Sequence, residues 1–258
     1  MVNCIAVCGD SFATGAGLNP EIAFEKSFGG LVAEELDLPL KVYARSGCCN
    51  YTIYLQVKKI LEQKKEEVHN PLVLITLTNH NRLFMPIGHD FNHSEIPDLS
   101  MVDYRSYHPY SLRYSNPLRP LHFRTNAARF CSETVSNIDL AVVGKMPGTY
   151  EFMNLIKEKT ESVKSYIVDL YHSGAKEEQD AALAALMHLQ LKKSHTPHII
   201  MGQSRARFDF IDQRNFADNN WGELIQLYPD EYDSMHCNEE GHRVVKENII
   251  KQCRDLIT

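Results

Sequence analysis

The chain has 258 residues, 43% apolar and 23% charged, a balance that can bury a sizeable core and that excludes an intrinsically disordered chain. Its net charge is −6 and its 27 Lys and Arg residues are scattered, which argues against a nucleic-acid partner, because such binders gather basic residues into a stripe or patch. No apolar stretch approaches the roughly 20 residues of a membrane span, no signal-peptide pattern opens the sequence, and seven cysteines, an odd number, suit reduced thiols; the expectation is a cytoplasmic protein.

Short runs rich in Val, Ile and Leu alternate with helical patterns, the rhythm of a parallel sheet covered on both faces. The first run, at 3–8, leaves through CGDSFATG, residues 8–15. Gly9 and Gly15 bracket Ser11, and a strand ending in glycine, acid and hydroxyl admits three readings: a phosphate cradle, a capped turn, or a nucleophile at the carboxyl edge of the sheet. The phosphate reading is the weakest. No Lys-Ser or Lys-Thr pair follows, and GAGLNP ends in proline where a dinucleotide fingerprint has Gly or Ala.

A second strand is expected at 39–44, followed by YARSGCCN with Gly47 in its turn. Next comes TIYLQVKKILEQKKEEV, whose Ile53, Val57, Ile60 and Leu61 share one face of a crossover helix, and then a third strand at 71–77 that runs out into TNHNR.

From about Phe84 to Val135 the rhythm is lost. The segment is dense in His, Tyr, Arg, Asn and Pro, and segments of this length are lids, interface arms or disordered tracts; its aromatic content argues against disorder. Tyr104, Tyr107, Tyr110, Tyr114 and Phe123 interleave with Arg105, Arg113, Arg119 and Arg124, which suits a sugar ring or an anionic substrate and equally suits the arm of a homo-oligomer. His89, His93, His108 and His122 show no ligand spacing.

Helices are expected at 150–172 and 175–192 with Gly174 as the stop between them, a fourth strand at 197–202, a fifth near 224–228 and a last helix at 239–257. The organisation expected is one domain, 1–258, with an insertion at about 84–137 and a helical segment at about 150–193.

Just before the last helix, DSMHCNEEGH sets Asp233 and His236 three residues apart. The carboxylate can accept the ring Nδ1 proton and leave Nε2 as a base; the alternative is a pair that merely caps the helix, for which Asn238 is also suited. Cys8, Cys48, Cys49 and Cys237 neighbour these segments and, with His236, raise a soft-metal or thiol site. The lack of Cys-x-x-Cys pairs and the frequency of cysteine among small buried residues favour packing.

GDSFATG and DSMHCNEEGH together resemble the first and last conserved blocks of the SGNH hydrolases, also called the GDSL family. The resemblance covers residues 1 to about 83 and about 195 to 258. It implies a flavodoxin-like three-layer α/β/α fold with a mostly parallel sheet of about five strands. Ser11 would be the nucleophile, His236 the base and Asp233 its orienter, with no metal or organic cofactor; Asp10, beside the serine, is given no role.

The oxyanion hole it implies consists of the N–H groups of Ser11 and Gly47 and an asparagine side chain. Here the sequence departs from the family, which shows Gly-x-Asn-Asp after the third strand. Counting from Pro71 puts Asn81 at the family's Asn, with Asn79 at the Gly and Arg82 at the Asp; Asn79 is the alternative donor if the register differs. This departure and the insertion resemble divergent members of the family, some carried by bacteriophages. The activity implied is hydrolysis of a small-molecule or carbohydrate ester, an O-acetyl group on a sugar being one case. The alternatives are a non-catalytic module that keeps the fold and an acyltransferase that uses the same triad but excludes water.

Overall fold

Strand β1 (Cys4–Cys8) reads CIAVC, and every one of its residues is buried, as expected of a strand covered on both faces. The computed structural model describes residues 2–19, 21–44, 49–66, 70–78, 173–202, 205–230 and 236–257. Outside the described residues lie Gly47, Cys48, Asn79, Asn81 and Asp233, the insertion at about 84–137 with its Tyr, Arg and His set, and the helix expected at 150–172. The chain divides into two compact units, one of residues 1–46, 50–78 and 180–258, the other of 47–49 and 79–179; the sheet lies in the first.

After β1 come α1 (Ala23–Lys26), α2 (Phe28–Glu35), β2 (Leu40–Val42), α3 (Asn50–Glu66) and β3 (Pro71–Thr76). They are followed by α4 (Ser173–Lys193), β4 (His198–Gly202), β5 (Phe216–Asp218), α5 (Trp221–Leu227) and α6 (Glu239–Ile257). The five strands run in the order β2-β1-β3-β4-β5 and all pairs are parallel, with Ile5 opposite both Leu40 and Leu72, Leu74 opposite Ile199, and Met201 opposite Ala217. This is the flavodoxin-like winding, the architecture the SGNH resemblance implies.

The two faces are covered by different helices. Ile5, Val7, Leu72, Leu74, Ile199 and Met201 point to one face and join Phe28 and Val32 of α2, Trp221 and Leu224 of α5 and Val245 and Ile249 of α6 in one cluster. On the other face α3 buries Ile53, Val57 and Ile60, and α4 buries Ala184, Met187 and Leu191 at helical spacing. Lys64 ties these two helices together, donating to the Ser194 carbonyl at 3.0 Å and to Thr196 Oγ1 at 2.9 Å at the end of α4. No helix among the described residues is long and apolar enough to cross a membrane.

Two expectations are corrected. The fifth strand is not at 224–228 but at Phe216–Asp218, where Phe216 pairs with Ile200. Residues 221–227 are helical because Asn220 Oδ1 accepts the Glu223 N–H at 3.3 Å and because Trp221 and Leu224 bury one stripe while Leu227 stays 61% exposed. Gly174 does not stop a helix but lies in the first turn of α4, a position where a glycine costs little.

Candidate active site

Beyond Cys8 the chain turns at Gly9, whose φ of +147° lies in a region that only glycine enters readily. A side chain is excluded twice over, since a Cβ here would stand 1.9 Å from Thr76 Oγ1. The Gly9 peptide is gripped from α3: its N–H donates to Gln56 Oε1 at 2.8 Å, and Gln56 Nε2 donates back to the Gly9 carbonyl at 3.2 Å. The chain then winds tightly, the Thr14 N–H bonding the Asp10 carbonyl (3.2 Å) and the Ala16 N–H bonding the Ser11 carbonyl (2.9 Å).

Ser11 sits at the head of this turn, at the carboxyl end of β1. It is buried, and its Oγ has no hydrogen-bond partner among the described residues. The bonds Ser11 makes there end on its carbonyl oxygen, which also accepts from Thr14 Oγ1 at 2.9 Å. An unpaired buried hydroxyl costs about 1–3 kcal/mol, so an ordinary capping serine does not account for it.

His236 comes to the same place from the other end of the chain. Its carbonyl accepts the Asp230 N–H at 3.1 Å, and the next residue, Cys237, forms an antiparallel bridge with Pro229, which stitches the His236 loop to the segment after α5. The ring lies 5.2 Å from that of Phe12, tilted by 59°. Gly17, φ +95°, lies so near that a Cβ on it would stand 2.9 Å from His236 Cβ. Two residues of the turn that follows Ser11, Phe12 and Gly17, therefore border His236. The capping alternative is met by Asn238, whose Oδ1 accepts the N–H groups of Glu240 (3.0 Å) and Gly241 (3.3 Å), so α6 does not use His236 as its cap.

The chain matches no protein-family model and no curated protein. Among solved structures it aligns, over 99% of its length and 98% of the other chain, with the psychrotrophic esterase EstA from Pseudoalteromonas sp. in a form inhibited by monoethylphosphonate, at 10% identity and a TM-score of 0.47. It also aligns, over 98% of its length and 65% of the other chain, with a carbohydrate esterase whose active site displays divergent catalytic and non-catalytic binding functions, at 13% identity and a TM-score of 0.36.

An aromatic column underlies the two segments. Phe12 stacks on Trp221 (4.4 Å, 19°), and Trp221 in turn touches Phe28 and His242. His242 is fully buried; burial first, and then the neighbouring His236, push its pKa down to about 4. Its Nδ1 accepts the Phe28 N–H at 3.3 Å, so the neutral ring carries its proton on Nε2, which has no partner among the described residues. His242 is thus a neutral wall at neutral pH. Cys8, Cys49 and Cys237 are buried, and burial pushes the Cys237 thiol up to about 12, which suppresses the thiolate that a nucleophile or metal ligand needs. Among the described residues no group of three or more His, Cys, Asp or Glu could hold a metal ion.

Sequence reasoning missed the residues that brace the site. Asp10 is buried and takes the Phe12 N–H on Oδ1 (3.1 Å) and the Thr78 hydroxyl on Oδ2 (2.7 Å). Asn50 holds Thr78 from the other side, its Oδ1 accepting the Thr78 N–H and its Nδ2 donating to the Thr78 carbonyl, both at 2.9 Å. Gln56 left a readable signal: it is a polar residue inside the stripe formed by Ile53, Val57 and Ile60.

Proposed function

We propose that this chain is a serine hydrolase of the SGNH type that cleaves a carboxylic ester, with Ser11 as nucleophile, His236 as general base and Asp233 as the residue that orients the base. The observation that carries the reading is the buried Ser11 hydroxyl, without a partner among the described residues, at the carboxyl end of β1 in a turn that packs on the His236 loop.

In the reaction His236 Nε2 takes the Ser11 proton as Oγ attacks the ester carbonyl. The tetrahedral oxyanion is held by the N–H groups of Ser11 and Gly47 and by Asn81, or by Asn79 in the other register. Each donor is worth roughly 2.7–4 kcal/mol if it matches one measured oxyanion donor. Collapse passes the proton from His236 to the leaving alcohol, and water, activated by the same ring, releases the acid from the acyl-enzyme. These steps ask for no metal or organic cofactor. The substrate is a small ester, an O-acetylated carbohydrate being the form that the Tyr and Arg residues of the 84–137 insertion suit; the same residues suit a homo-oligomeric contact.

The test is covalent. A fluorophosphonate is expected to label Ser11 in the wild type, not to label Ser11→Ala, and to label His236→Ala far more slowly, in step with p-nitrophenyl acetate hydrolysis. A wild type that is folded, unlabelled and inactive sinks the reading.

A further inference from the structure

Oxyanion donors accelerate a reaction only when they are already in place as charge develops, so segments that carry them need a fixed separation. One of the donors proposed, the Ser11 N–H, lies in the turn that leaves β1 at the carboxyl edge of the sheet, beside the exit of β3. The ladder between β1 and β3 ends at Cys8 opposite Ile75, and Leu77 still bonds the Met201 carbonyl of β4 at 2.8 Å. Thr78, the next residue, lies beyond the ladder and is held by side chains instead.

Its N–H and its carbonyl are both taken by Asn50, the first residue of α3, and its hydroxyl is taken by Asp10, 68 positions earlier. Asp10 spends its other oxygen on the Phe12 N–H and so fixes the turn that carries Ser11. Gln56, from the same helix as Asn50, holds Gly9 at both ends of its peptide. One half-buried threonine, the immediate chain neighbour of Asn79, is thereby tied to the nucleophile's turn and to the start of α3 by the buried Asp10 and Asn50.

We propose that Asp10 and Thr78 are positioning residues: the Thr78 hydroxyl bond to Asp10 ties the Ser11 turn to the exit of β3, and so holds the Ser11 N–H and Oγ in place for attack on the ester. The inference rests on the hydrolase reading above. Neither side chain touches the reacting atoms. They act through the backbone that carries Ser11.

The experiment compares Thr78→Val, which keeps the shape and the Asn50 bonds but loses the hydroxyl, with Thr78→Ser, which keeps the hydroxyl. Thr78→Val is expected to lower kcat for p-nitrophenyl acetate about tenfold or more and to slow fluorophosphonate labelling by the same factor. KM should stay within about twofold, because ground-state contacts are untouched. The pH midpoint of kcat/KM should not move, because the base is untouched. Thr78→Ser is expected to rescue most of the loss, and adding Asp10→Asn to Thr78→Val should cost little more than either alone, as for two ends of one bond.

A Thr78→Val protein that keeps wild-type kcat, or that loses only melting temperature while its activity per folded molecule is unchanged, overturns the inference and leaves the hydrolase reading standing. A shifted pH midpoint overturns it too, since the effect would then run through His236. Should Thr78→Val not fold, Thr78→Ala, which leaves room for a water beside Asp10, takes its place with the same criteria. A wild type that neither turns over nor is labelled removes both readings together.

Discussion

The two edges of the sheet each hold a pair of buried histidines, and the pairs differ in how their polar atoms are satisfied. At the amino edge, His198 opens β4, its Nδ1–H donates to the Thr196 carbonyl (2.8 Å), and its Nε2 accepts from His188 Nδ1 (2.9 Å). That leaves His188 Nε2 facing the Asp212 carboxylate at 3.9 Å, where Lys192 already bonds Asp212 at 2.9 Å. At the carboxyl edge, near His236 and His242, the Ser11 hydroxyl, His242 Nε2 and Trp221 Nε1 are buried without partners among the described residues. A ring bonded at both nitrogens, as His198 is, rigidifies its surroundings, whereas groups buried unpaired are costly and call for a functional reason. The difference is the contrast to expect between a structural cluster and the site proposed for Ser11 and His236.

The largest expected effect breaks the carboxyl edge. Ser11→Ala should lower kcat for an activated ester by about a thousandfold or more, while stability in urea stays level or rises by up to about 1 kcal/mol, because the hydroxyl removed has no bond to lose among the described residues. A variant that loses stability in proportion to activity would make Ser11 a structural residue like those of the other edge.

Gly9→Ala comes next. Its Cβ collides with Thr76 Oγ1 and its backbone sits at positive φ, so a loss of more than about 2 kcal/mol is expected in urea denaturation, with activity lost alongside. Wild-type stability in this variant contradicts the turn described for the Ser11 segment.

Acid should weaken both edges. Burial pushes His198 and His242 down to about 4, whereas an unfolded histidine binds its proton near 6.5. Between those values the unfolded chain takes up protons that the folded one refuses, so stability is full above about pH 6.5 and falls as the pH drops toward 4. The loss is roughly 3 kcal/mol for each ring. Calorimetry from pH 7 to 4 reads the slope, and His242→Gln should flatten it.

The smallest effect sharpens the contrast. His188→Gln should cost about 1–2 kcal/mol through the His198 and Asp212 contacts and leave kcat unchanged, since the amino edge takes no part in the chemistry. A fall in kcat per folded molecule would show that the two edges are coupled.

The sheet was legible because its interior strands carry unbroken apolar runs; β1, β3 and β4 fall where Val, Ile and Leu cluster. The edge strand β5 was not, because three residues reading FAD hold no period, while the apolar LIQLY that drew the expectation belongs to a helix that buries one stripe. In the site, Ser11 and His236 lie in local patterns with recognisable spacing. Asp10, Asn50 and Thr78 do not, since their bonds join residues 28 to 68 positions apart and leave no local signature. Asp10, assigned no role from the sequence, accepts from both the Ser11 turn and the β3 exit.

Trp221 is the chain's single tryptophan, and its indole lies flat on the ring of Phe12, the residue after Ser11. Its emission, excited selectively over that of the 12 tyrosines, therefore reports the state of that turn with no second tryptophan to mask it. Acylation of Ser11 that shifts Phe12 by a fraction of an ångström should appear as a fluorescence transient on rapid mixing with an ester, and its decay should time deacylation. The protein comes with its own optical clock.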